Sequence, residues 1–313
     1  METVHAPTRN EFRPPAPHYS DAVAAYLHQS LSNNTHRAYE ADLAHFRAWG
    51  GSIPASPETI AEYLAAHAPS LSMATLDRRV VAISRAHAER GFESPTQTGL
   101  VRAVRRGIKR VEGEAQRQAT PLLTSDLQQV LGALGDDPRG VRDRAILLLG
   151  FAGAFRRSEL VALDRSDLEF VRGGVVAYVR HSKTDQVHIG RKLGIPASTG
   201  DLCPVEALTG WLALTEPYGP LFRRVDRHGN ILDHRLSSEA VGLVVKQRVA
   251  ATGLDPVRYS GHSLRAGFAT SAAQAGIPSW KIRKQTGHAS EAMLARYIRD
   301  GELFGDTAAG ALL

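Results

Sequence analysis

The spacing of apolar residues changes character near Gly113, and that change constrains the fold more than any other feature of the chain. From Ser20 to Val111 the apolar positions recur only at helical spacing. Asn33 or Asn34 can cap a helix that carries Ala38, Leu43, Phe46 and Trp49 and stops at Gly50 and Gly51. Pro57 suits the start of a helix through Ile60, Tyr63 and Leu64. Ser72 opens another through Leu76, Val80, Ile83 and Ala86, closed by Gly91. No stretch here alternates as a strand would, so residues 18–111 are expected to form an all-α domain of four or five helices. The Pro-rich, polar residues 1–17 are expected to form a flexible arm.

Residues 112–120 are polar and read as a linker, and Pro121 marks entry to a second unit spanning 121–313. Thr124 or Ser125 can cap a helix through Leu127, Val130 and Leu131, and a long helix from about Gly140 would bury 145–149. A β-prone run follows at Gly174–Val179, with a polar turn at 181–186, a return strand near 187–189 and a third strand at 193–196. Helices resume at Pro204 and are expected to dominate to the end. The pattern predicts a mainly α fold: an all-α N-terminal domain, then an α+β domain with a small antiparallel sheet.

Cys203 is the single cysteine among 313 residues, so no disulfide within the chain and no cysteine-based zinc cluster can form. Together with the absence of a signal-peptide pattern or a membrane-length apolar run, this predicts a cytoplasmic protein with no membrane partner. A formal net charge of +6 favours a polyanionic partner, as it does in many proteins that never meet one.

One helix concentrates that charge. Arg102, Arg105, Arg106, Lys109 and Arg110 share a face, with Leu100, Val101, Val104, Ile108 and Val111 on the other side. Most charged stripes are simply solvated. This one contains no acid, and like charges without counter-charges suit a phosphate backbone. Arg78 and Arg79 are expected to extend the same surface.

The second unit holds residues able to handle a phosphodiester. Arg156 and Arg265 offer planar forks that hydrogen-bond two oxygens and stay protonated. His262 lies three residues before Arg265, on the same face if both are helical. Lys183 sits in the polar turn between two expected strands, where it could protonate a leaving oxygen. Gly287 and His288 are expected to end one helix and Tyr297 to close the next. Taken singly, each has an ordinary structural explanation: a helix start, a surface lysine, a packed tyrosine.

In combination and in this order, Arg156, Lys183, His262 with Arg265, Gly287-His288 and Tyr297 resemble the active-site series of the tyrosine recombinases, the phage integrase family. Ser32 to Tyr39 with Phe46 and Trp49 is similar to the first long helix of that family's core-binding domain. The resemblance spans about Ser20 to Asp300. It implies that Tyr297 attacks the scissile phosphate to give a 3′-phosphotyrosine, and that Arg156 and Arg265 hold the non-bridging oxygens. It makes Lys183 the general acid, His262 a proton carrier for Tyr297, His288 a phosphate hydrogen-bond partner, and Glu159 an acid that orients the cations.

The covalent link conserves the bond energy, so no cofactor, ATP or metal is expected. The implied partners are a double-stranded DNA recombination site, three further copies in a homo-tetramer on two sites, and DNA-bending or directionality proteins. The two domains would close on the duplex as a clamp and exchange strands through a Holliday junction.

Ala154 and Phe155 depart from the family's usual glycine and aliphatic residue before Arg156, and Arg157 stands where an apolar residue is common. The apolar tail at 308–313 would dock on a neighbouring copy or fray. Two rivals remain, a type IB topoisomerase and a catalytically silent DNA-binding accessory protein. Relaxation of plasmids without site preference would favour the first; the complete residue set argues against the second.

Overall fold

The computed structural model describes residues 20–113, 118–180, 190–288 and 290–301. The chain divides into two compact units, 1–117 and 118–313, each with its own hydrophobic core. The expected N-terminal arm and C-terminal tail, and residues 114–117 of the expected linker, lie outside the described residues.

The first unit contains α1 (Asp21–Gln29), α2 (Asn33–Ala48), α3 (Pro57–His67), α4 (Met73–Ala88) and α5 (Gly99–Val111). A hydroxyl opens every one. Ser20, Ser32, Ser56, Ser72 and Thr98 each accept from the backbone N–H three residues on, satisfying a donor the first turn leaves unpaired. The cap of α2 is therefore Ser32, not Asn33 or Asn34, which both lie inside the first turn. Phe46, Ile60, Tyr63, Leu64, Leu76, Ile83 and Val101 are sealed from solvent and hold the helices together. Each such side chain contributes about 1.5–3 kcal/mol on burial. Gly51 leaves room for the Phe46 ring, which a Cβ there would meet at 2.3 Å. Leu100 and Val111, on the side of α5 opposite the cations, are 44% and 79% exposed because they sit at the two ends of the helix, beyond the packed stretch.

The second unit begins with α6 (Thr124–Gly132), α7 (Pro138–Ala152) and the short α8 (Arg157–Ala162). Neither Thr124 nor Ser125 caps α6; Leu123 holds that position without a side-chain bond, and the Thr124 N–H donates to Ser271 Oγ instead. Then come β1 (Leu168–Val171), β2 (Gly174–Val179) and β3 (Arg191–Pro196), antiparallel in the order β1-β2-β3. The register sets Val179 opposite Arg191 and Gly174 opposite Pro196. Val175, Ala177 and Val179 alternate onto the buried face, where Leu193 and Ile195 join them. The return strand expected near 187–189 lies outside the described residues.

Next is α9 (Pro204–Ala213), followed by a hairpin of β4 (Arg223–Val225) and β5 (Ile231–Arg235). After it come α10 (Ser238–Ala250), α11 (Ser263–Gln274), α12 (Ser279–Thr286) and α13 (Glu291–Gly301). Helices therefore do not run unbroken from Pro204. The hairpin is short, largely exposed and rich in charge, and β1 is four residues long and largely exposed, so neither shows the alternation that identifies a strand from spacing. The buried α7 packs against α11, which also meets α13. Gly267 on α11 is required there, since a Cβ would stand 1.8 Å from the carbonyl oxygen of Leu122. The result is mainly α, with a helical N-terminal part and an α+β C-terminal part, as the spacing predicts. No described helix is long and apolar enough to cross a membrane.

Candidate active site

A tight turn between α7 and α8 sets the first arginine. Ala154 adopts a left-handed conformation with φ of 46°, Phe155 drops into the core, and Arg156 takes the N-cap of α8. The Phe155 ring folds back over Gly153, where a Cβ would meet it at 2.1 Å. Glu159, one turn on and 2% exposed, accepts from the Arg156 backbone N–H at 3.1 Å and from Arg156 Nη1 at 2.6 Å. Its second oxygen also accepts from Arg191 Nη2 at 3.1 Å. One buried carboxylate thus orients two guanidiniums.

Arg265 reaches the same turn from α11. It is 1% exposed, and Nη1 donates to the Ala154 carbonyl at 2.8 Å, while Nη2 is buried without a hydrogen-bond partner among the described residues. Burial, then the nearby Arg156 charge, lowers its pKa to about 10. A buried donor left unsatisfied is costly, and beside a second cation it calls for an anion.

His262 occupies the N-cap of α11, not its interior as helical His-x-x-Arg spacing would have it, because the helix begins at Ser263. Its Nε2 lies 2.7 Å from the Tyr297 hydroxyl. Although the residue keeps an exposed edge, burial lowers its pKa, followed by the charges of Arg265, Arg156 and Arg157. The lowered pKa favours the neutral ring, which is able to accept a proton. Tyr297 lies inside α13, which continues to Gly301, so it does not close the helix. Its ring packs on the small apolar cluster of Ala269, Ala273, Ile282 and Leu294.

Gly287 ends α12 in the left-handed conformation, with φ of 64°, and turns His288 toward this group. The His288 ring stacks on Tyr297 with centroids 5.7 Å apart. Thr286 Oγ1 donates to the Ile282 carbonyl and lies 2.8 Å from His288 Nδ1, a network that assigns the ring hydrogen to Nδ1. Burial, then Arg265 and Arg156, lowers the His288 pKa to about 4. Thus Arg156, Glu159, His262, Arg265, His288 and Tyr297 converge, whereas Lys183 lies outside the described residues.

The model of the family described as "Phage integrase family" matches residues 121–302, more than half of the chain. The chain belongs to the phage integrase family. It is a tyrosine recombinase, an enzyme of site-specific DNA recombination, and it is 42% identical over 294 residues to the "Integrase/recombinase xerD homolog" of Selenomonas ruminantium. That similarity covers 90% of this chain and 86% of the relative. The "Recombinase cre" of Escherichia phage P1 is 24% identical over 273 residues, 79% of this chain and 77% of that one.

Among solved structures, a lambda integrase dimer bound to a COC′ core site superposes with a TM-score of 0.65 at 19% identity. It covers 92% of this chain and 78% of that chain. A lambda integrase tetramer bound to a Holliday junction gives 0.62 at 20%, over 88% and 75%. At these identities the likeness shows the fold.

Arg191 is the recombinase residue that sequence reasoning missed. It opens β3 and ties Glu159 to the Gln285 carbonyl, which accepts from Nη1 at 3.0 Å. Its guanidinium also fills the space beside Gly287, where a Cβ would stand 2.7 Å from Nη1. The only sequence signal is a cation opening a strand whose inward positions are apolar.

The expected DNA-facing arginines need correction. Arg79 is 8% exposed and bonded to Tyr63, His45 and Asp42, so it is not a surface residue. Arg78 lies over Asp42 with two hydrogen bonds, and Arg105 pairs with Asp77 at 2.5 Å. Acids from α2 and α4 therefore do interrupt the basic face. Arg102, Arg106, Lys109 and Arg110 remain exposed.

Proposed function

We propose that the recombinase cleaves duplex DNA through Tyr297, forming a 3′-phosphotyrosine and a free 5′-hydroxyl. The observation that carries this reading is the 2.7 Å contact between Tyr297 Oη and His262 Nε2, beside Arg265 Nη2, which has no partner among the described residues. His262 takes the tyrosine proton as the O–P bond forms. Arg156 and Arg265 hold the non-bridging oxygens and stabilise the extra charge of the pentacoordinate state. His288 hydrogen-bonds the phosphate through Nε2, the anion's charge raising a pKa that burial and the guanidiniums hold near 4. Lys183 delivers the proton to the departing 5′-oxygen, a role supported by its place in the sequence series alone. The covalent link keeps the energy of the broken bond for rejoining.

Residues 18–111 serve as the DNA-binding helical domain, 112–120 as linker and 121–313 as the catalytic domain. Arg102, Arg106, Lys109 and Arg110 contact the phosphate backbone, with Arg78 and Arg105 contributing only the capacity left by their acids. Four copies act on two sites and exchange strands through a Holliday junction, an assembly supported by the lambda integrase tetramer of the same fold.

The test is covalent capture on nicked duplexes drawn from a randomised pool, read on denaturing gels. Wild type should form an adduct that Tyr297→Phe abolishes while still binding the DNA. An adduct that survives Tyr297→Phe, or none from bound wild type, overturns the reading. Relaxation of supercoiled plasmids irrespective of sequence would redirect it to a topoisomerase.

A further inference from the structure

Arg157 lies beside the reacting groups, and the chemistry above does not use it. It occupies the first helical position of α8, directly after Arg156, and is exposed. Arg156 is the extended N-cap and Arg157 the first helical residue, so their side chains leave the backbone in different directions. Arg156 accordingly turns inward to Glu159, while Arg157 runs across two glycines. A Cβ on Gly261 would stand 3.2 Å from Arg157 Cδ, and one on Gly242 would stand 3.9 Å from its Nη1. Gly261 immediately precedes His262, and Gly242 belongs to α10. These two bare backbone positions form a trough that leads the side chain past the base of the nucleophile.

Glu239, in the first turn of α10, feels the Arg157 charge, which lowers its pKa after its backbone and serine hydrogen bonds, but the two form no ion pair among the described residues. Arg156 and Arg191 share Glu159, and Arg265 has the Ala154 carbonyl. Arg157 makes no hydrogen bond or ion pair among the described residues. Its charge nevertheless reaches the site, since it lowers the His262 pKa together with burial and two other arginines. Arg157 adds a fourth guanidinium to Arg156, Arg191 and Arg265, and among the described residues Glu159 and the more distant Glu239 leave this group with excess positive charge, which favours an incoming anion.

We propose that Arg157 binds a DNA backbone phosphate next to the one that Tyr297 attacks. This rests on the recombinase reading for the position of the scissile phosphate, but not for the contact with DNA itself. The guanidinium spans two non-bridging oxygens of the neighbouring phosphate and fixes the strand against His262. The contact is to backbone, so it is blind to base sequence.

Three measurements test it with purified full chain. First, fluorescence anisotropy with 30-bp duplexes of unrelated sequence is followed from about 50 to 200 mM salt. Arg157→Leu should weaken binding to all of them alike and flatten the slope of log K against log salt by about 0.9. The wild-type advantage then shrinks about 3.5-fold across that range. Arg157→Lys should keep the slope, and thermal melts establish that both variants fold. An unchanged slope overturns the proposal, as does a loss confined to particular sequences, which would mean base reading.

Second, duplexes carrying a neutral methylphosphonate beside the scissile phosphate should bind wild type more weakly than unmodified DNA and Arg157→Leu equally well. Equal losses in both proteins would remove Arg157 from that phosphate. Third, covalent capture of wild type on the nicked pool keeps the two readings apart. If capture fails while the salt slope still falls, the recombinase chemistry is wrong and the DNA contact stands.

Discussion

Arg265 donates from Nη1 to the carbonyl oxygen of Ala154 at 2.8 Å, and Ala154 presents that oxygen from a left-handed backbone with φ of 46°. The one step reverses the chain after α7, sends Phe155 into the core and leaves Arg156 at the head of α8. A residue with a Cβ holds this conformation at about 1–2 kcal/mol. The alanine that stands where the family usually has glycine thus holds a left-handed turn at a cost. Ala154→Gly should match or exceed wild-type stability, since relief of strain offsets about 0.8 kcal/mol of buried methyl. Ala154→Val adds a branched side chain where none fits and should lose more than about 2 kcal/mol. Urea unfolding separates the two, and a Val variant as stable as wild type would show that the turn is not strained.

The His262–Tyr297 contact predicts a pH-dependent defect. Removing a general base costs about 10²–10⁴ in rate. His262→Ala should therefore bind DNA normally and cleave slowly, with the deficit narrowing as rising pH lets solvent take the tyrosine proton. Single-turnover cleavage between pH 6 and 9 reads this directly. A deficit that stays constant with pH would make His262 a structural residue.

Arg191 is expected to position Glu159 and, through it, Arg156. Arg191→Met leaves the buried carboxylate with one fewer cation and strips a donor from the Gln285 carbonyl. Breaking a buried ion pair from one side costs about 3–5 kcal/mol. With the Arg191 side chain 22% exposed, the low end applies. Adding Glu159→Gln to Arg191→Met should destabilise less than the sum of the single changes, because the stranded charge disappears. Strict additivity in chemical denaturation would mean the two residues act independently.

How much of this was legible in the sequence follows from the range of each interaction. Arg156, Arg265, His288 and Tyr297 stand in short motifs whose order survives any packing detail, and Ser72 marks the start of α4, whereas the cap of α2 at Ser32 was placed one or two residues late because asparagine caps as readily as serine. Arg79 looked like a surface cation because its partners, Asp42, His45 and Tyr63, lie on other helices. The acids facing Arg78 and Arg105 were invisible for the same reason: local spacing shows which face a side chain takes, not what opposes it. Arg191 belongs to the site through residues 32 and 94 positions away in sequence. The β4–β5 hairpin escaped because its exposed, charged residues carry no alternation.

His288 adds a stability signature in mild acid. The folded protein binds a proton on this ring only near pH 4, because of burial and then the charges of Arg265 and Arg156, whereas an unfolded histidine binds one near 6.5. Between those values the unfolded chain holds more protons. Stability is therefore complete above about pH 6.5, falls as the pH drops through the window, and levels off below about 4. The histidine contribution amounts to about 3 kcal/mol across the window. Carboxylates also titrate there, but they are common to a His288→Asn variant and cancel in the difference. Urea unfolding at pH 7, 6, 5 and 4.5 should show wild type losing stability faster than His288→Asn, with the gap opening steadily toward acid. Parallel curves would mean that the ring is protonated in the folded protein as readily as in the unfolded chain, and that the guanidiniums around it do not set its charge.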